Sequence, residues 1–293
     1  MAISSDVLDS VRSEFSFGVD KFPLFGPDNM RTGVFGLFRN DTGAFVGGGS
    51  KTERYLPHKT DDVVALVESC SELFGDEARV NCHFRNGHYV SVAPSDSHRQ
   101  KIYGERDNVF PRLVIRAGYD GQAFQATIGY FRDCCRNLAM LHTVEKTSVS
   151  FKHTNSLRMR MNDLIQTFSN LKDGWKNLTD VIRHMESKEV SVAGFLDEIY
   201  GQPEADASKR AVTVHKNRTE AILKRLINEG FSTGRDSLAE NGTATAWQMF
   251  NAVQGFVQHD MGRRDGAVSQ FDRILKAAKD PSVKAAERLA VAA

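Results

Sequence analysis

Between Arg79 and Arg112, cations and aromatic rings are interleaved in a way that suits a polyanion. Arg85, His88, Tyr89, Arg99, Lys101, Tyr103, Arg106 and Arg112 all fall in this stretch. Nucleic-acid phosphates require cations, and unpaired bases stack on aromatic faces for about 1–3 kcal/mol each. Downstream, Arg132, Arg136, Lys152, Arg158 and Arg160 extend the same stripe. With about six to eight phosphates neutralised, affinity falls by several orders of magnitude as salt rises from about 50 to 200 mM. The partner this implies is single-stranded DNA, with RNA as the alternative. Two competing readings stand beside it. The cations either sit on solvated faces or pair with acidic residues elsewhere, and Arg132 also reads as a structural cation buried where sheet meets helix.

Catalytic chemistry finds less support. The nine histidines include no His-x-x-x-His or His-Glu-x-x-His pair, so no metal ligand set is expected. A two-metal nuclease needs converging carboxylates. The basic stretch offers only Asp96, Glu105, Asp107, Asp120, Asp133 and Glu145, in no recognised motif. Gly47-Gly48-Gly49-Ser50-Lys51-Thr52 imitates a phosphate loop but lacks its glycine spacing, and reads as a flexible turn. Gly230-Phe231-Ser232-Thr233-Gly234 matches Gly-x-Ser-x-Gly, but a nucleophile elbow needs a preceding strand. A helical stretch precedes it here, so Gly230 is expected to be a helix C-cap. The expectation is a binding protein with no cofactor and no metal, a metal-dependent nuclease being the enzymatic alternative.

The elements that must position the cations follow from pattern and charge. Residues 1–78 carry seven Lys/Arg against thirteen Asp/Glu, residues 79–161 thirteen against six, and residues 162–293 eighteen of each. The positive excess is therefore confined to the middle of a chain whose formal net charge is only +1. Gly33 to Arg39 and Ala44 to Val46 read as short strands around the Asn40-Asp41-Thr42-Gly43 turn. Thr60, with Asp61 and Asp62 behind it, opens a helix running to Gly75. Arg79–Phe84 and His88–Ala93 flank Arg85-Asn86-Gly87, where Asn-Gly signals a hairpin. Phe110–Ala117 and Ala123–Ile128 flank a second turn at Asp120-Gly121. A helix is expected from Phe131 through His142.

Past residue 156 the pattern is helical. Leu157, Met161, Leu164, Phe168, Leu171, Trp175, Leu178, Ile182 and Met185 recur in alternating steps of four and three, an a/d seam. It serves either intramolecular packing or self-association, which makes a homo-oligomer one expected state. Residues 201–210 read as a linker, followed by helices near 208–229, 243–261 and 266–279, and by a frayed tail from Ala285. The expected fold class is α+β: two antiparallel hairpins forming a small sheet on helices, then a mainly helical half. The division expected is residues 1–155 and residues 156–293, with one continuous domain as the alternative.

Four cysteines without Cys-x-x-Cys spacing suggest reduced thiols. The N-terminus lacks a secretory pattern, and no run of about 18 apolar residues occurs. The expected location is the bacterial cytoplasm, with no membrane partner.

Three stretches resemble a phage/plasmid-like protein family catalogued as domain of unknown function 932. They are Arg132-Asp133-Cys134-Cys135-Arg136-Asn137-Leu138, Lys152-His153-Thr154, and Trp247-Gln248-Met249-Phe250-Asn251-Ala252 with His259. Asn40-Asp41-Thr42-Gly43 and Arg54-Tyr55-Leu56-Pro57 resemble its earlier elements. The pattern departs at Leu138, where the family has Thr. The resemblance implies a viral or mobile-element origin and supplies no activity. The order helix, two hairpins, helix also resembles the core of Rad52-type single-strand annealing proteins, which implies strand annealing during DNA recombination. The alternative in a phage setting is a factor that binds a host protein.

Overall fold

The computed structural model describes residues 4–14, 16–69, 78–84, 87–93, 98–119, 123–132, 134, 138–139, 148–154, 159–160, 162–163, 171–234, 242–261 and 270–293. In chain order the elements begin with α1 (Ser5–Glu14), β1 (Val19–Phe25), β2 (Arg31–Arg39), α2 (Thr60–Ser69), β3 (Arg79–Phe84) and β4 (Gly87–Ala93). Next come β5 (Gln100–Tyr103), β6 (Asp107–Gly118), β7 (Phe124–Arg132), β8 (Leu138–Ala139) and β9 (Ser148–Phe151). The rest is α3 (Leu171–Ser187), β10 (Glu189–Ser191), α4 (Val192–Tyr200), α5 (Lys209–Thr233), β11 (Thr243–Thr245), α6 (Ala246–Gly255), α7 (Gln270–Lys279) and α8 (Pro281–Ala292). The fold is α+β, as its patterns imply.

The chain divides into two compact units, each made of three segments. The first holds residues 1–98, 111–128 and 146–173, and the second holds the remainder. The boundary therefore does not fall at residue 155. The long strands β6 and β7 each supply residues to both units.

In the first unit, β3, β4 and the far half of β6 form antiparallel neighbours, with Cys82 opposite Val90 and Val90 opposite Ile115. β9 pairs with β7, Phe124 opposite Phe151. One core joins Leu8 and Val11 of α1, Val63, Leu66 and Val67 of α2, and Val90, Val92, Leu113 and Ile115 of the sheet. Each such side chain contributes about 1.5–3 kcal/mol on burial. α2 begins at Thr60 as its acidic first turn dictates, and the Asp62 carboxylate accepts from the Lys59 backbone N–H at 2.7 Å. Gly87 sits so close to Gly118 that a Cβ there would lie 2.5 Å from the Gly118 Cα. Only glycine fits that hairpin corner.

In the second unit, β5 folds back on the start of β6, with Gln100 opposite Val109. The helices pack into one core around Trp247, Phe250, Val253, Ile222, Ile182 and Ala286. Thr245 and Gln248 form a reciprocal capping box that fixes the start of α6. Ser191, Ser208 and Asp280 cap α4, α5 and α8 through their own side-chain oxygens.

Several expectations change. The helix expected from Phe131 is strand through Arg132, because Tyr130 and Phe131 pair with Ala139 and Leu138 of β8. The helix–hairpin–hairpin–helix order is thus not found among the described residues. α5 continues past Gly230 to Thr233, and Gly234, left-handed at φ 77°, is its C-terminal cap. The Ala-rich tail is not frayed, since α8 buries Val283, Ala286, Glu287 and Ala290. The Gly47–Thr52 turn is pinned: Lys51 pairs with Phe35 through two backbone hydrogen bonds and turns its Nζ onto the Gly48 carbonyl at 2.5 Å. No phosphate-loop helix follows it.

Leu178, Ile182 and Met185 of the heptad seam are buried in the second unit's own core. That part of the seam therefore packs within the chain. Leu157, Met161, Leu164 and Phe168 lie outside the described residues. Among the described residues no helix is long and apolar enough to cross a membrane.

Candidate nucleic-acid interface

Of the cations and rings singled out from sequence, Arg99, Lys101, Tyr103 and Arg106 come together on the exposed β5–β6 hairpin of the second unit. Lys101 and Glu105 form an ion pair across the turn. Arg183 of α3 adds a cation beside them, its Nη2 3.4 Å from the Gln100 side-chain oxygen. Tyr103 is 36% exposed.

The hairpin is anchored from below. Asp107, the first residue of β6, accepts two hydrogen bonds from Arg132, at 2.6 Å from Nε and 2.7 Å from Nη2. Arg132 also ion-pairs through Nη1 with Glu229 of α5. The guanidinium lies over the Trp247 ring, 5.2 Å from its centroid. All of these residues are nearly or wholly inaccessible. Arg suits this position because its planar fork satisfies two carboxylates at once while its face stacks on an aromatic ring. Removing one member of such a buried set leaves an uncompensated charge.

A cavity of about 400 Å³ opens beside this network, lined in part by Cys134, Lys224, Asn228, Glu229, Asn251 and Asp260. The Cys134 Sγ lies 3.8 Å from the Asp107 carboxylate. Asp260 reaches the cavity because the chain after α6 makes a π-helical turn over Phe256–Asp260, the Met261 N–H returning to the Phe256 carbonyl. Asp260 then accepts from Arg225 Nε at 2.5 Å. Burial and the Arg225 charge hold the neighbouring His259 imidazole below its ordinary pKa, against the opposing pull of Asp260.

The stretches that carry the family resemblance fall into two groups, one in each unit. Arg132, Cys134, Trp247 and Asn251 surround the second unit's cavity and ion network. In the first unit, His153 stacks on Tyr55 with ring centroids 4.9 Å apart. The Leu56 N–H donates to the His153 carbonyl at 3.1 Å. Beside them His58 Nε2 meets His88 Nδ1 at 3.0 Å, with the Tyr119 ring stacked on His58. Burial drives the His58 imidazole well below its ordinary pKa, reinforced by His88 and His153, and burial takes His88 down to about 3. Both rings are neutral at physiological pH.

The remaining predicted residues scatter. His88, Tyr89 and Arg132 are buried, so none presents a surface to a phosphate or base. β4 is an inner strand of the sheet with both faces covered, which overrides the polar-out alternation expected of a hairpin edge. Arg112 is half-buried and donates to the Ser91 hydroxyl at 2.6 Å. Lys152 and Arg160 are exposed on the first unit. Arg85, Arg136 and Arg158 lie outside the described residues. The sequence alone does not reveal Asp107 and Glu229 as partners of Arg132, since contacts between residues so far apart in the chain leave no local periodicity. Among the described residues no cluster of His, Cys, Asp and Glu is arranged to hold a metal ion.

Taken with the α+β architecture, the basic hairpin held on a buried Arg–carboxylate network describes a class of protein rather than an activity. The family model described as Domain of unknown function (DUF932) matches residues 49–279, and the chain belongs to that family. No curated protein and no solved structure matches it.

Proposed function

We propose that the chain binds single-stranded nucleic acid through the β5–β6 hairpin. The observation that carries this reading is the exposure of Arg99, Lys101, Tyr103 and Arg106 within one tight hairpin. The cations meet successive phosphates while Tyr103 offers its ring to a base, and the buried Arg132 anchor keeps the hairpin preformed, so less ordering entropy is lost on binding. Neither metal nor nucleotide cofactor enters the mechanism. The reading includes a phage or plasmid origin and work in the host cytoplasm. Assembly into a homo-oligomer would align several such hairpins along one strand.

With His88, Tyr89 and Arg132 removed from the contact set, about three or four phosphates are neutralised. The salt slope is then about −2 to −3, a loss of roughly 20- to 50-fold in affinity between 50 and 200 mM salt. A mobility-shift series with single- and double-stranded oligonucleotides measures it. Arg99→Glu with Lys101→Glu and Arg106→Glu should abolish the shift, and unchanged binding by that triple variant would sink the proposal. Annealing of complementary strands is a separate property, read by mixing labelled complements with the protein.

A protein partner is the second reading, favoured by a different surface. Phe22, Phe25, Met30 and Phe45 on and beside the β1–β2 ribbon are each at least half exposed. Such apolar area marks interaction sites. Recovery of one stoichiometric host protein, lost with Phe22→Ser and Phe45→Ser, would favour this reading.

A further inference from the structure

The first unit contains a second cavity, of about 490 Å³, which the proposed nucleic-acid contact does not use. It lies where the chain enters α2, and its most deeply buried polar group is His58. His58 is 2% exposed, and its Nδ1 is buried without a hydrogen-bond partner among the described residues. An imidazole nitrogen in that condition has lost its hydration with no hydrogen bond to replace it, which is destabilising unless a ligand meets it. Phe17 and Tyr119 supply an apolar wall. Two carboxylates, Asp20 and Asp61, stand on the rim, and neither forms an ion pair among the described residues.

The charge balance points one way. Lys59 and Arg12 also border the cavity, but Arg12 is already engaged by Asp9 at 3.0 Å and Glu68 at 3.4 Å. Arg39 lies over the Phe17 ring at 3.7 Å but is held by Asp41 at 2.6 Å. That leaves two carboxylates against one lysine, with the neutral His58 imidazole at the bottom and aromatic rings at the side. We infer that this cavity binds a small planar organic cation, an amidinium or guanidinium group. Its N–H donors are shared between His58 Nδ1 and the Asp20 and Asp61 carboxylates.

His58 fits the role through its neighbour. The His58 Nε2–His88 Nδ1 contact holds a single proton between two neutral rings. When His58 Nδ1 accepts from a ligand, its own proton must sit on Nε2 and point at His88. His88 Nδ1 then accepts, and the second ring carries its proton on Nε2. A donor in the cavity therefore sets the tautomer of both rings. Tyr119 steadies the arrangement by stacking on His58 at 4.4 Å and donating to the His58 carbonyl at 3.2 Å.

The test uses the full chain, labelled with 15N at histidine, titrated with benzamidine and with benzoate, which share a shape and differ in charge. Saturable benzamidine binding, at least tenfold tighter than benzoate, is expected. On saturation His58 Nδ1 should show the shift of an unprotonated acceptor, and His88 that of an Nε2–H tautomer. The exposed-rim variants Asp20→Asn and Asp61→Asn should each weaken benzamidine binding about fivefold or more while leaving the thermal midpoint close to that of the parent. N-acetyl-arginine amide, run in parallel, separates a free small cation from a peptide arginine by which of the two binds more tightly. Equal binding of benzoate, unchanged affinity in both Asn variants, or a proton on His58 Nδ1 in the bound state would each overturn the assignment.

Discussion

Each unit buries a polar cluster made from residues far apart in the chain, and the two solve the problem of burial in opposite ways. The second unit keeps its charge: the Arg132 guanidinium is matched by Asp107 and Glu229 and lies over Trp247. The first unit gives its charge up: His58 and His88 are neutral, joined by one hydrogen bond and packed among aromatic rings. Full ionisation with matched partners suits a residue that cannot shed its proton, and neutrality suits one that can. The Arg132 cluster is therefore brittle to loss of any one charge, while the histidine pair depends on both rings staying neutral.

The largest effect expected is at Arg132. Arg132→Ala leaves two buried carboxylates without a cation and should destabilise the second unit by about 3–5 kcal/mol, measured by denaturant unfolding. Arg132→Met combined with Asp107→Asn and Glu229→Gln removes all three charges and should recover most of that loss. If the triple variant is no more stable than the single one, charge pairing is not what the cluster contributes.

Acid should act on the first unit's cluster. The folded-state pKa values of His58 and His88 lie below their ordinary value, so the unfolded chain takes up protons first as pH falls. Stability is complete above about pH 6.5. It is lost progressively below that, toward about 3 for His88, at about 1.4 kcal/mol per pH unit for each histidine. Hydrogen exchange at pH 7.5 and pH 5 should show α2 and β4 loosening around the two rings. Unchanged exchange in both elements would show that the neutral pair contributes nothing to stability.

At the hairpin the effects are smaller and fall on binding. Tyr103→Ala should cost about 1–3 kcal/mol in affinity for single strands and nothing measurable in folding, by titration and thermal melting together. Glu105→Gln frees Lys101 from its surface ion pair. It should change stability by less than about 0.5 kcal/mol while raising affinity slightly and steepening the salt slope.

Much of the fold is legible in the residues themselves. Thr60 with its acidic turn marks α2, and Asn86-Gly87 marks the β3–β4 corner. These signals are local, and local chemistry decides them. The helix expected from Phe131 fails because pairing with β8 outweighs the helical spacing of its apolar residues. The candidate site is half visible. The Arg99–Arg106 cations can be read directly, whereas the burial of His88 and Tyr89 cannot, since an inner strand and an edge strand carry similar alternation when a hairpin is read alone.

The α+β class, the confinement of excess positive charge to the middle of the chain, the caps and turns, and the family all follow from the amino-acid sequence. Each depends on composition, on order along the chain, or on residues within about four positions of one another. Which cations face solvent, that Arg132 belongs to Asp107 and Glu229, and that His58 and His88 share a proton emerge from the folded chain alone. Those outcomes depend on which distant segments meet. In a sheet whose strands pair across long loops, that is set by global packing and register rather than by any local preference.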